Sequence, residues 1–308
     1  MQQNYHKSVL LNEILIGLNA SKEGLYVDAT FGAGGYSEAI LKANDKNQVI
    51  AFDRDKNVAW LALNLQKEFP QKLSFINQRF SQISASLAAQ NIDKIDGIVL
   101  DLGVSSMQLD EGERGFSFNK DAALNMQMGL NNVSAYNIVN ETAEEDLANI
   151  IFQYGEERES RKIARRICRA REKSSIETTL QLAEIVEQAK SFKRNRKIHP
   201  ATKTFQAIRI FVNEELKELK EVLAATINLL NKGGRLVVVS FHGLEDKIVK
   251  SFIKEHAVKA ANNRYMPEIK TTEQAEFKLV TNGLKPTISE ISDNPRARSA
   301  IMRVAEKL

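Results

Sequence analysis

Apolar positions in the first hundred residues switch between two spacings, and the switch predicts strands alternating with helices. Ser8 to Leu18 reads as a short helix with Val9, Leu10, Ile14 and Leu18 on one side. LYVDATF follows as a strand whose glycine-rich exit leads into a helix through Ile40 and Leu41. QVIAFDRD is a second strand, and the helix after it runs from Asn57 to Glu68 with Trp60, Leu61 and Leu65 facing in. Leu73 to Ile76 is a third strand. Beyond a polar helix around Ile83 and Leu87, IDGIVLDLG is almost wholly apolar between Asp96 and Gly103, as a strand covered on both faces should be. Such alternation predicts a parallel sheet with right-handed crossovers.

The pattern then changes. From Val104 to Pro200 the spacing is helical, with no convincing strand. Thr142 and Glu145 form a capping box for a helix carrying Leu147, Ile150, Ile151 and Tyr154, and Gly155 stops it. Arg158 to Arg171 continues with Ile163, Ile167 and Ala170 inside, and Leu182, Ile185, Val186 and Ala189 mark a third helix. Past Pro200 the mixed pattern returns. Phe205 to Leu230 carries one stripe through Ile208, Val212, Leu216, Leu219, Leu223 and Ile227, and Gly233 with Gly234 ends it. RLVVVSF is then a buried strand, and EFKLV and SAIMRVAEK read as two strands of a wide hairpin. The expected architecture is an α/β sandwich formed by 1–103 and 201–308, interrupted after its fourth strand by an all-helical insertion at 104–200. The insertion starts at a strand's carboxyl end, where open α/β sheets place their ligands.

Composition narrows the classes. A chain of 308 residues with 43% apolar positions can bury a full core and is neither membrane-spanning nor disordered in type. The amino terminus shows no signal peptide, and no stretch approaches the roughly 18 uninterrupted apolar residues of a membrane span, so the cytoplasm is the expected location. The single cysteine, Cys168, falls in a helical stretch and is expected to be buried and inert; it builds no thiolate metal site, and no metal is expected. The net charge of +4 is modest, so its distribution matters more than its size.

Gly32, Gly34 and Gly35 lie directly between a strand and a helix, where glycines let the chain turn sharply and a ligand approach the backbone. Asp53 ends the next strand about 20 residues on, the place of an acid that accepts hydrogen bonds from a ribose diol. The loop reads GAGGYS, so a GxGxxG dinucleotide pattern fails at Ser37. Asp28 puts a carboxylate beside the glycines, which repels a pyrophosphate and attracts an ammonium. These features favour S-adenosylmethionine, leaving a nicotinamide or flavin nucleotide and a plain turn before the helix as alternatives. A Walker loop is excluded because no GK[ST] follows.

Three later segments carry more information: DLGVSSMQLDEGERGFSF from Asp101, HPATKTFQAIRIFVNEEL from His199, and SFHGLEDKIVKSF from Ser240. With HKSVLLNE near the start, YGEER from Tyr154 and NPRARSA from Asn294, they resemble, in order and over nearly the whole chain, the bacterial 16S ribosomal RNA cytidine N4-methyltransferases, the ribosomal RNA small subunit methyltransferase H family. The resemblance implies a Rossmann-like class I fold and methyl transfer from S-adenosylmethionine to the exocyclic N4 of a cytidine in the decoding region of 16S rRNA. It implies cofactor contacts at Gly34, Gly35, Tyr36, Asp53, Phe80, Asp101 and Gln108, beside Asp28 and Gly32 from the loop itself, and a helical domain facing RNA. The chain departs from the family where histidine is usual at Tyr36, and where Asn125, Met126, Gln127 and Met128 replace a usual Asp-Met-Arg-Met. Lys203 replaces a usual arginine and loses its bidentate fork.

Asp101, at the end of the fourth strand, is the expected acceptor for the amine N–H, with cofactor contact alone as the alternative. His242, past the exit of RLVVVSF, is the candidate proton acceptor, with base orientation or a structural hydrogen bond as the other readings. Arg161, Lys162, Arg165, Arg166 and Arg169 share a helix surface, and Lys193, Arg194, Arg196 and Lys197 form a second cluster. Both suit phosphate contacts, against a merely solvated helix face; Arg296 and Arg298 are a weaker third group. Phe116 and Phe118 suit either base stacking or packing. The small ribosomal subunit is the expected partner, with a monomer and a homodimer both open.

Overall fold

A computed structural model describes residues 8–191, 198–257 and 275–308. They divide into two compact units, one formed by 1–103 with 216–308 and the other by 104–215.

The first unit opens with helix α1 (Leu11–Leu18) and continues through β1 (Leu25–Asp28), α2 (Gly35–Ala43), β2 (Gln48–Phe52), α3 (Ala59–Glu68), β3 (Leu73–Ile76), α4 (Ile83–Ala88) and β4 (Ile95–Asp101). The second unit is helical: α5 (Ser106–Asp110), α6 (Ala135–Glu141), α7 (Glu144–Gly155), α8 (Ser160–Arg171), α9 (Thr179–Ala189) and α10 (Thr202–Asn213). The chain then returns through α11 (Glu215–Leu229), β5 (Leu230–Ser240), α12 (Gly243–His256), β6 (Phe277–Leu284), α13 (Ile288–Asp293) and β7 (Ile301–Lys307).

Seven strands form one sheet in the order β3-β2-β1-β4-β5-β7-β6. β1 to β5 run parallel, and β7 pairs antiparallel with both β5 and β6. This is an α/β sandwich with the Rossmann-like architecture the sequence leads one to expect. Ile98, Val99 and Leu100 of β4 and Val237, Val238 and Val239 of β5 are all fully buried, each burial worth about 2 kcal/mol. The order reverses between β1 and β4, so their carboxyl ends open a crevice at the switch point.

The helical unit has its own core, in which Leu147, Ile151, Ile163, Ile167, Leu182 and Val186 meet Phe205, Ile208 and Val212. That packing corrects the expected boundary at 201: α10 belongs to the helical unit, and the chain re-enters the sheet unit at Leu216. The apolar stripe expected to run unbroken from Phe205 to Leu230 is interrupted at Glu214, whose φ of 52° is left-handed. The expected Thr142 capping box is also absent, since Thr142 ends α6 and Ala143 precedes α7 with no side-chain cap. Phe116 is buried in this core, and Phe118 stacks on His199 and packs edge-on against Phe205 at centroid distances of 4.4 Å and 4.9 Å. Both rings are thereby committed to packing. Cys168 is buried, and burial pushes its thiol up, as an inert cysteine requires. No helix among the described residues is long and apolar enough to cross a membrane.

Candidate active site

The strand ends of the sheet unit gather four of the expected residues. β1 delivers Asp28, the residue after β2 is Asp53, β4 ends on Asp101, and the turn after β5 leads to His242. Backbone bonds fix these ends together: Phe31 N–H donates to Phe52 O at 2.8 Å, and Leu102 N–H donates to Val239 O at 3.0 Å. Thr30 joins the first loop to β4, its hydroxyl oxygen accepting Asp101 N–H at 2.8 Å.

The glycine turn is required by the protein's own packing as well as by any ligand. Gly34 has φ of 83° and a side chain there would press on the Phe31 ring, while a Cβ on Gly35 would stand 2.0 Å from Ser8 Oγ. Gly32 is different: a Cβ there would meet nothing nearer than Thr30 O at 3.9 Å. The open face of the turn is therefore at Gly32.

Asp28 lies beneath this turn, fully buried. Its Oδ1 accepts Thr30 N–H at 3.2 Å and its Oδ2 accepts the Ser37 hydroxyl at 2.8 Å. The carboxylate thereby braces the turn, fully buried, where a direct ammonium contact was expected of it. Burial pushes its pKa up to about 6, against the hydrogen bonds from Ser37 and Thr30. Thr30 and Ser37 were missed as site residues, although both flank the glycines in the sequence.

Asp53 accepts Gly32 N–H through Oδ2 and Asp55 N–H through Oδ1, both at 2.8 Å. Each oxygen keeps a second lone pair for a diol hydroxyl. Burial raises Asp53 to about 6. Beside it, Glu218 Oε1 accepts Arg54 at 3.0 Å and Arg79 at 3.2 Å, which pins the residues next to Asp53 and Phe80 to α11. Phe80 itself begins a 3-10 turn after β3 and packs half-buried on the sheet core.

Asp101 is the least satisfied of the acids. Its Oδ2 lies 3.3 Å from the Tyr36 hydroxyl, whereas Oδ1 is buried with no hydrogen-bond partner among the described residues. Burial first, and the like charges of Asp28 and Glu245 after it, raise its pKa to about 7. A buried acceptor left without a donor costs about 1–3 kcal/mol and is a place for a ligand N–H.

His242 has a structural task. It is the N-cap of α12, its Nδ1 accepting Glu245 N–H at 3.4 Å while Glu245 Oε2 accepts Phe241 N–H at 2.8 Å and His242 N–H at 3.3 Å. Its Nε2 faces Glu245 Oε1 at 2.9 Å without hydrogen-bond alignment. The cap gives His242 a structural role, one of the readings its position allowed, beside that of a proton acceptor. The signal was the glutamate three residues on, the spacing of a capping box.

Gln108 lies in the helical unit, where its Oε1 accepts Ser105 N–H at 3.0 Å in the cap of α5. In the same unit Asn125 Oδ1 accepts Gln127 N–H at 3.1 Å, and Gln127 Nε2 donates to Val133 O at 3.0 Å, so both departures from the family pattern serve a turn. Arg161, Lys162, Arg165, Arg166 and Arg169 of α8 are all exposed, with Ile163, Ala164 and Ile167 buried on the opposite side. Lys162 meets Glu159 and Ser191, Arg165 meets Glu144, and Arg166 meets Gln188, all at the surface. Arg296 and Arg298 are exposed on a 3-10 turn of the sheet unit. Lys193, Arg194, Arg196 and Lys197 lie outside the described residues.

Comparison with known proteins matches residues 3–308 to the MraW methylase family. The ribosomal RNA small subunit methyltransferase H of Afipia carboxidovorans is 49% identical over 305 residues, spanning 98% of this chain and 90% of that protein. That of Xanthobacter autotrophicus is 47% identical over 303 residues, spanning 98% and 87%. That of Ehrlichia ruminantium is 46% identical over 307 residues, spanning 99% and 100%.

Proposed function

The chain belongs to the MraW methylase family, and from that premise we propose that it methylates the exocyclic N4 of a cytidine in the decoding region of 16S rRNA. Its methyl donor is S-adenosylmethionine, and when bound this cofactor supplies an electrophilic methyl carbon on a sulfonium sulfur. The observation that carries the substrate is the identity, from end to end of the chain, to proteins named for methylating small-subunit ribosomal RNA.

The strand-end cluster fits the cofactor. Asp53 offers lone pairs to a ribose diol, Phe80 an apolar wall for a purine, and the open turn at Gly32 room for close approach. Three buried carboxyls gathered at the strand ends favour a cationic ligand over a dinucleotide.

Asp101 is the catalytic residue. The N4 lone pair of cytidine is delocalised into the ring, and an N–H donated to Asp101 Oδ1 favours the pyramidal form that attacks. With the cofactor bound, the sulfonium would give up its methyl and keep the bonding pair, and the attacking nitrogen would be left cationic. Its proton then passes to Asp101, whose pKa of about 7 suits a base at neutral pH. Holding nitrogen and methyl in line supplies much of the rate.

The exposed cations of α8 are the RNA-facing surface in this reading, with Arg296 and Arg298 adding contacts from the sheet unit. Their present partners at exposed sites contribute about 0–1 kcal/mol each, so phosphates displace them readily. Purified protein with methyl-labelled S-adenosylmethionine, offered small ribosomal subunits, naked 16S rRNA and duplex DNA, tests the substrate class. Label in the subunits or the rRNA is expected; label in DNA alone, or in none, contradicts the reading.

A further inference from the structure

The Tyr36 hydroxyl, which faces Asp101 Oδ2, has no role yet in the chemistry proposed above. We infer that Tyr36 is a positioning residue for Asp101: its hydroxyl holds Oδ2 and the carbonyl of Val9 at once, leaving Oδ1 for the incoming amine. This rests on the methyl-transfer reading of Asp101 given above.

The geometry is that of one proton facing two acceptors. The Tyr36 hydroxyl lies 2.7 Å from Val9 O and 3.3 Å from Asp101 Oδ2. The shorter bond serves Val9 while Asp101 is neutral, and ionisation of Asp101 draws the hydroxyl to Oδ2, because a hydrogen bond to a charged acceptor is the stronger one. The phenol therefore favours the ionised carboxylate, the form that accepts an N–H and later a proton.

Both ends of the arrangement are held. The Tyr36 ring is buried, 4% exposed, at the start of α2. Val9 is fixed because Leu10, with a left-handed φ of 53°, donates its N–H to Glu290 Oε1 of α13 at 2.7 Å, and because Ser8 lies against Gly35. The charges around the pair oppose ionisation: Asp28 from β1 and Glu245 from α12 face Asp101, and Asp28 and Glu290 face Tyr36. Among these groups the Tyr36 hydroxyl alone favours the charged carboxylate. Burial and these same acids push the Tyr36 hydroxyl itself well above its ordinary range, so it stays a donor.

The test is Tyr36→Phe, read by carboxyl 13C NMR of protein labelled at aspartate, without cofactor or RNA. The Asp101 midpoint, near pH 7 in the parent chain, is expected to rise by roughly one unit in the variant. The acid limb of single-turnover methyl transfer to small subunits should rise with it, while affinity for S-adenosylhomocysteine by calorimetry stays within a few fold. An unmoved Asp101 midpoint overturns the inference. A moved midpoint in a protein that transfers no methyl to RNA would leave Tyr36 positioning Asp101 and remove the functional reading instead. If Tyr36→Phe fails to fold, the Tyr36 13Cζ resonance decides: it should titrate with the Asp101 midpoint in the parent chain and lie flat in Asp101→Asn. A flat resonance in the parent chain overturns the inference as well.

Discussion

Asp28, Asp53 and Asp101 crowd the strand ends of the sheet unit, where burial pushes them up to about 6, 6 and 7. On α8 of the helical unit, Arg161, Lys162, Arg165, Arg166 and Arg169 are all exposed, and their partners are surface side chains. Charge is buried in the first region, and a single oxygen there, Asp101 Oδ1, is left without a partner among the described residues. In the second it is redundant and solvated, so its effect is additive and screened by salt. The contrast suits a division of labour in which the acids choose cofactor and reaction and the cations hold a polyanion in place.

The largest expected effect breaks the acidic side alone. Asp101→Asn should lower single-turnover methyl transfer by about a hundredfold or more while S-adenosylmethionine affinity stays within a few fold. A matched loss of affinity would make Asp101 a cofactor ligand only.

Next in size is the basic side. Arg166→Gln with Arg169→Gln should weaken RNA binding roughly tenfold and reduce the slope of log affinity against log salt by about 1.5, with cofactor affinity unchanged. An unchanged slope would return α8 to ordinary surface.

A third measurement uses the sign of the pKa shifts. The three carboxyls sit above the unfolded value of about 3.9, so the native state holds more protons than the unfolded chain between about pH 4 and 7. Their contribution to stability is full below pH 4 and lost as pH rises through 6 and 7. The melting temperature of the free protein should therefore fall by a few degrees from pH 5 to 7.5 relative to Asp53→Asn. S-adenosylmethionine, carrying an ammonium and a sulfonium, should raise it more at pH 7.5 than at pH 5; a rise independent of pH would contradict the electrostatic account of the pocket.

The smallest effect concerns His242. His242→Ala should cost about 1 kcal/mol of stability through loss of the α12 cap, and His242→Asn, a good cap, should restore stability and transfer together. Transfer lost in His242→Asn at full stability would return the histidine to the chemistry.

Much of this was legible because local signals agreed with the fold. The apolar runs of β1, β2, β4 and β5, each ending in a polar residue or a turn, mark the sheet and its carboxyl edge in the sequence itself. The change to helical spacing at Val104 marked where the second unit begins. Its end was hidden because Ile208 and Val212 stay in phase with Leu219 and Leu223 across Glu214, although the first pair packs in one core and the second in the other. Periodicity records that a side is apolar, not which core receives it.

The site was legible as a set of strand ends and illegible as a set of contacts. The bracing role of Asp28 was hidden because nothing local shows that Ser37 and Thr30 each bond one of its oxygens. Tyr36 looked like a backbone contact because the partners of its hydroxyl lie 27 and 65 residues away in sequence. The cap at His242 was hard to see because histidine is an uncommon N-cap.

The most direct trial of the whole account is the identity of the methylated atom. After a single turnover of the parent chain on small ribosomal subunits with methyl-labelled S-adenosylmethionine, the RNA is digested and its nucleosides separated by mass spectrometry. The account predicts label in N4-methylcytidine from one position of the decoding region, absent with Asp101→Asn. Label on a carbon, a ribose hydroxyl or a purine, or label undiminished by Asp101→Asn, would contradict it.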